Sequence, residues 1–306
     1  MKRKDILGIK DLTRAEINEI LSTATVMRDM IDRGEKSNAL RGKSVTTLFY
    51  ENSTRTRNSF ETAAKNLGAS VGSISVAVSS VQKGESLVDT GRTLDALKTD
   101  VIVLRHSVAG SCKLLAECVN ASVINAGDGL NEHPSQALLD GLTARRRFGS
   151  LDGKKVVIVG DVKHSRVARS DAILFGMLGA KVTVCAPYSL LPCGIDGLGC
   201  DVETDFDKAI IGADIVVPLR VQRERMDGAY FSTQEEYHEY YGVTQKRLEL
   251  CSDDCIVMHP GPINRGAEIA GDVADGANSM IVEQVTNGVA VRMAMLDLLV
   301  NGEGRL

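Results

Sequence analysis

Short apolar runs separated by helical stretches constrain this chain more than any other feature. In the first half they occupy residues 45–50, 71–78, 101–104 and 122–125; in the second, 155–159, 181–185, 215–217 and 255–258. Runs of this length, rich in Val and Ile and closed by glycine or polar residues, read as strands. Helical spacing fills the gaps, as where Phe60, Ala63, Ala64 and Leu67 recur before Gly68. Alternation of that kind builds a parallel sheet with helices on its faces. The expected class is α/β, and 306 residues suffice for two doubly wound domains, each a central parallel sheet flanked by helices. A helix over 134–148 would carry the chain from one domain to the other. One helix reads as scaffold alone. Thr13 with Glu16 makes a capping box, and Ile17, Ile20, Leu21, Ala24, Met27 and Ile31 form one stripe that Gly34 stops.

Ligands of such sheets gather where strands end and helices begin. The first junction carries Ser53, Thr54, Arg55, Thr56 and Arg57 after the strand 44–50, with Asn52-Ser53 as the turn and helix cap. Backbone N–H groups and the positive helix end face outward there and accept an anion, preferably phosphate. Three hydroxyls and two guanidinium groups strengthen the site, because an arginine fork matches phosphate oxygens. A plain helix cap with two exposed arginines is the competing reading. Arg105 and His106 follow the strand 101–104 directly, as ligand groups or as a surface pair. After 122–125, a glycine-containing loop over 127–132 leads to His133, Pro134 and Gln136 at a helix start, where the His and Gln converge. Lys163, His164, Ser165 and Arg166 precede a helix beginning near Val167; cations there oppose the helix dipole unless an anion docks. Arg220, Gln222, Arg223 and Arg225 follow the strand 215–217 and could equally form a solvated face. Residues 79–86 read as a flexible loop, and 229–241, with four of the six tyrosines, as a mobile polar segment without assigned chemistry.

Composition excludes several classes. A net charge of −4 gives no broad basic surface for nucleic acid. No apolar run approaches the roughly 18 residues of a membrane span, and no apolar core follows the basic start Met1-Lys2-Arg3-Lys4, so a cytoplasmic protein is expected. The seven cysteines (112, 118, 185, 193, 200, 251 and 255) are odd in number and form no paired metal spacing, and the five histidines form no His-x-x-x-His pair. Scattered reduced cysteines and no metal site are expected. Gly160 closes a strand without the G-x-G-x-x-G spacing of a dinucleotide site, and no P-loop occurs.

Ser53-Thr54-Arg55-Thr56-Arg57 resembles the carbamoyl-phosphate motif of the aspartate/ornithine carbamoyltransferase family, and His133-Pro134-Ser135-Gln136 resembles its second motif. The likeness runs through nearly the whole chain. It implies that Ser53, Thr54, Arg55 and Thr56 hold the phosphate, that Arg105 contacts both the carbamoyl oxygen and the phosphate, that His133 donates to the carbamoyl carbonyl, and that Gln136 holds the carbamoyl nitrogen. It turns the loop 79–86 into one that reaches a neighbouring subunit's active site with Ser79 (or Ser80) and Lys83. Arg166 and Arg220, with Gln222 and Lys83, would grip the carboxylates of aspartate. Arg57 would brace its loop, and Glu51 would orient Arg166 or Arg225. His259-Pro260-Gly261-Pro262 resembles the aspartate branch, whose backbone carbonyls here accept from the carbamoyl and attacking amino groups; the ornithine branch usually has His-Cys-Leu-Pro, and that cysteine is absent.

The reaction so implied is carbamoyl transfer from carbamoyl phosphate to the amino group of L-aspartate, an early step of de novo pyrimidine synthesis, with no cofactor and no covalent nucleophile. The implied division is a carbamoyl-phosphate domain of 1–133 plus 286–306 and an aspartate domain of 134–285, the active site in the cleft between them. The implied assembly is a homotrimer with active sites shared between chains, with or without regulatory chains. Ornithine or another amino acid as acceptor, and a non-catalytic anion-binding homologue, are the alternatives.

Overall fold

The computed structural model describes residues 1–75, 85–221 and 233–302. It divides into two compact units, residues 1–142 with 286–306 and residues 143–285. The units divide between residues 142 and 143 and again between 285 and 286.

In the first unit, α1 (Arg14–Asp32) starts as its capping box dictates. The Glu16 N–H donates to Thr13 Oγ1 at 3.2 Å while the Thr13 N–H donates to Glu16 Oε2 at 2.9 Å. Ile17, Ile20, Leu21, Ala24 and Met27 are buried. A Thr13→Ala chain is expected to lose about 1 kcal/mol of stability, read as a lower urea midpoint at unchanged slope. The sheet comprises β1 (Ser44–Phe49), β2 (Ser70–Ser75), β3 (Val101–His106) and β4 (Ser122–Asp128), all parallel, in the order β2-β1-β3-β4. Strands β1, β3 and β4 are buried, so their apolar runs are nearly continuous, β4 being an edge strand that Ile6 pairs through Ile124, whereas the other edge strand, β2, is partly exposed. The sheet is joined by α2 (Thr54–Asn66), α3 (Leu87–Ala96) and α4 (Ser111–Cys118). Gly68, at φ 79°, ends α2 as expected: the Ala69 N–H returns to Ala64 O at 3.0 Å, a closure that needs the left-handed region.

The chain leaves this unit along α5 (Pro134–Phe148) and returns along α11 (Ile281–Asn301). Between them the second unit holds β5 (Lys155–Val159), α6 (Arg166–Met177), β6 (Lys181–Cys185), β7 (Asp201–Glu203), α7 (Phe206–Ala209), β8 (Ile215–Pro218), α8 (Gln234–Tyr241), α9 (Gln245–Leu248), β9 (Ile256–Val257) and α10 (Gly271–Ala274). Its sheet is again wholly parallel, in the order β7-β6-β5-β8-β9. Two expectations change. From Thr233 onward the tyrosine-rich segment is an ordered helix: Thr233 caps α8 by accepting from the Glu236 N–H at 3.1 Å, and Tyr237 is buried. Short α4 and β7 were not read at all. Among the described residues no helix is long and apolar enough to cross a membrane, and no cluster of three His, Cys, Asp or Glu could hold a metal ion. All seven cysteines are reduced, with Cys112, Cys185 and Cys255 buried.

Candidate active site

In the first unit the singled-out residues sit at the carboxyl ends of three neighbouring strands. Ser53 to Arg57 follow β1, Arg105 lies at the end of β3, and His133 follows β4. Parallel strands put those ends along one edge, so the sheet order itself collects the groups.

Ser53 occupies the cap position of α2, but its side chain makes no cap hydrogen bond. The competing reading, a plain cap, is not met at Ser53: its hydroxyl makes no bond to the first-turn N–H groups. Thr54 and Arg55 are exposed, Ser53 is half-buried and Thr56 is buried. No Ser53 side chain closes this helix end, and open N–H groups at a helix N-terminus suit an anion. Arg57 pairs one turn along with Glu61, 3.8 Å apart.

Arg105 is mostly buried and doubly held. Its Nε donates to Glu51 Oε2 at 3.2 Å and its Nη1 to Ala126 O at 3.3 Å. Glu51 thus orients Arg105, a partnership the sequence reading did not name. The β1–β3 register, with Phe49 opposite Arg105, brings the two together. The His106 ring lies tilted at 50° against Tyr50 with centroids 4.5 Å apart, and burial lowers its pKa.

His133 is buried at the start of α5, on a loop supported by a buried polar network. Asn125 Nδ2 donates to Asp128 Oδ1 at 2.7 Å, the Gly127 N–H donates to Asn125 Oδ1 at 2.7 Å, and the Gly110 N–H donates to Asp128 Oδ2 at 2.8 Å. Gly129 is obligatory there: φ is 51°, and a Cβ would lie 2.6 Å from the Ala109 nitrogen. One turn into α5, the Gln136 side chain donates to both oxygens of Asp140, at 3.1 and 3.2 Å. Ser79, Ser80 and Lys83 lie outside the described residues.

The second unit repeats the logic. Arg166 follows β5, Arg220 follows β8 and Pro260 follows β9, three adjacent parallel strands. Ser165 caps α6 by accepting from the Ala168 N–H at 3.2 Å, and His164 Nδ1 lies 2.8 Å from Asp161 Oδ1. Arg166, the first residue of α6, is buried, and Arg220 is half-buried. A guanidinium beside a helix N-terminus opposes the dipole, an arrangement suited to an anion placed between them. The turn at Pro260, Gly261 and Pro262 has a cis Gly261–Pro262 bond and Gly261 at φ 62°. His259 fixes it: Nδ1 accepts the Gly261 N–H at 2.8 Å, and Nε2 lies 3.1 Å from Glu268 Oε1. Gln222 and Arg225 lie outside the described residues.

Family models with two descriptions match this chain: the carbamoyl-phosphate-binding domain of aspartate/ornithine carbamoyltransferase over residues 4–146, and the Asp/Orn-binding domain over residues 152–299. The chain belongs to the aspartate/ornithine carbamoyltransferase family. Within that family it is 53% identical to the aspartate carbamoyltransferase catalytic subunit of Acetivibrio thermocellus over 300 residues, covering 98% of this chain and 96% of the relative. The crystal structure of aspartate transcarbamoylase from Trypanosoma cruzi, in complex with carbamoyl aspartate and phosphate, superposes with a TM-score of 0.87 at 32% identity, over 97% of this chain and 95% of that one. Ornithine carbamoyltransferase from Thermus thermophilus also gives a TM-score of 0.87, at 24% identity over 98% of this chain and 100% of that one. The fold is therefore shared by both branches of the family, and it does not by itself choose the acceptor.

Proposed function

We infer that this chain transfers the carbamoyl group of carbamoyl phosphate to the amino group of L-aspartate, giving N-carbamoyl-L-aspartate and phosphate. The observation that carries this reading is the full-length likeness to the Acetivibrio aspartate enzyme. The geometry is consistent with it: Arg166 and Arg220 stand after the adjacent strands β5 and β8, two guanidinium groups suited to a dicarboxylate.

In this reading Ser53, Thr54, Arg55 and Thr56 bind the phosphoryl group at the α2 N-terminus. Arg105, His133 and Thr56 stabilise the oxyanion that forms when the aspartate amine attacks the carbamoyl carbon; one preorganised donor of this kind is worth roughly 3–4 kcal/mol. Gln136 accepts from the carbamoyl nitrogen, and the carbonyls of Pro260, Gly261 and Pro262 accept from the carbamoyl and attacking amines. Gln222 joins Arg166 and Arg220 on aspartate. No covalent intermediate is needed, since holding two reactants adjacent removes much of the entropic barrier. The proton lost by the amine passes to the departing phosphate. The assembly is a cytoplasmic homotrimer in which Ser79 and Lys83 complete the site of a neighbouring chain.

The test offers aspartate and ornithine separately with carbamoyl phosphate. Carbamoyl-aspartate is the expected product. Citrulline would overturn the acceptor while leaving the phosphate site, and absence of product with either would overturn the enzyme.

A further inference from the structure

One buried cation in the first unit has no place in the reaction just described. Arg292, on α11, is 4% exposed. Its Nη1 donates to Ser59 Oγ at 3.1 Å, and its guanidinium lies 5.1 Å from the centre of the Phe60 ring. Ser59 and Phe60 belong to α2, the helix whose N-terminus is the phosphate site. Burial pulls the Arg292 pKa down to about 10, against the opposing pull of the Asp140 carboxylate, so the group is cationic at neutral pH. The seat is tight: a Cβ on Gly288 would come within 2.5 Å of Arg292 Nη1 and 3.2 Å of Leu139 Cδ2.

Asp140, on α5, is fully buried, and its charge opposes the effect of burial on this cation. Both its oxygens accept from Gln136 Nε2, one helical turn away, at 3.1 and 3.2 Å. An ionised carboxylate has no proton to donate and only accepts. An amide that meets it must present its nitrogen, which leaves its carbonyl oxygen as the group offered to a ligand. A carbamoyl nitrogen is a hydrogen-bond donor and requires that face of the amide. Were the amide turned over, donor would meet donor.

We propose that Asp140 is a positioning residue that fixes the Gln136 amide so that its carbonyl oxygen receives the carbamoyl nitrogen of the substrate. The proposal rests on the carbamoyl-phosphate reading above.

Calorimetric titration separates the two, because inorganic phosphate lacks the carbamoyl nitrogen. In an Asp140→Ala chain, carbamoyl phosphate is expected to bind about tenfold more weakly, the worth of one hydrogen bond lost or reversed. Phosphate should change less than about twofold on the same argument. Asp140→Asn, whose carbonyl still accepts from Gln136, should restore most of the affinity. In a Gln136→Ala background, Asp140→Ala should cost little more, because both act through one amide.

Should Asp140→Ala fail to fold with Arg292 left unpaired, the double variant Asp140→Leu, Arg292→Leu removes both charges and is expected to show the same selective loss. Equal weakening of both ligands, independent losses in the double variant with Gln136→Ala, or unchanged carbamoyl-phosphate binding would overturn the proposal. A wild-type chain that binds carbamoyl phosphate tightly but forms no carbamoyl-aspartate would overturn the assigned reaction and leave this result standing.

Discussion

Arg105→Ala is expected to lower kcat for carbamoyl-aspartate formation by about 10²–10³-fold, as removal of one preorganised oxyanion donor does. Position and burial both argue for an effect of this size. Arg105 ends a central strand, its side chain is 15% exposed, and its guanidinium is held by Glu51 at 3.2 Å and Ala126 O at 3.3 Å. Such a group is already aimed before substrate arrives, so little reorganisation accompanies the reaction. Arg105→Lys should recover little, because a single ammonium cannot keep the planar two-point hold and also reach both ends of the substrate. Glu51→Gln should fall between wild type and Arg105→Ala, since an amide still accepts from Nε but no longer carries charge. Steady-state rates with both substrates varied provide the check, alongside thermal melts to show that the chains are folded. An Arg105→Ala enzyme within tenfold of wild type would remove this residue from the chemistry.

Why the strand ends could be read from sequence, and their partnerships could not, follows from what each depends on. A buried parallel strand advertises itself as an apolar run, so the residue after its last Val or Leu is placed without knowing the fold. Arg105 after Leu104, His133 after the 127–132 loop and Arg220 after Pro218 were all located in this way. The Glu51–Arg105 pair depends on β1 lying beside β3 in a particular register, with Phe49 opposite Arg105. Nothing within either segment encodes that register. Gln136 to Asp140, though a plain i, i+4 spacing, gains meaning only once both are known to be buried. Ser53 shows the opposite failure. Its residue type favours capping, but the chain holds it at φ −155° and ψ 84° without a cap bond, so the local rule does not hold there. Residues 234–241 failed for a similar reason. Tyrosines among glutamates look polar, yet Tyr237 is buried, its hydroxyl pressed towards Gly160, where a Cβ would lie 2.6 Å from it.

Lys83→Ala is expected to be nearly inactive by itself, and to regain activity when mixed with an equally inactive Arg105→Ala chain. The argument is one of symmetry. If Lys83 serves the neighbouring chain's site, an Arg105→Ala chain still lends an intact Lys83, and a Lys83→Ala chain still holds an intact Arg105. Dissociating both proteins, mixing them in equal amounts and reassociating them places the two defects together in some sites and leaves others whole. In a cyclic trimer with random mixing, three-quarters of the assemblies are hybrids and each hybrid has one whole site in three, so about a quarter of the wild-type activity should return. Random mixing gives the same quarter in any closed ring, a dimer included, so the recovered activity tests the sharing of sites and not the number of chains. Were the site confined to one chain, every site in the mixture would carry one defect, and activity would stay at the level of the separate variants. A gain that appears only after dissociation and reassociation, and not on simple mixing, would tie the recovery to exchange of chains. The same protocol with Ser79→Ala in place of Lys83→Ala would show whether the serine crosses with the lysine.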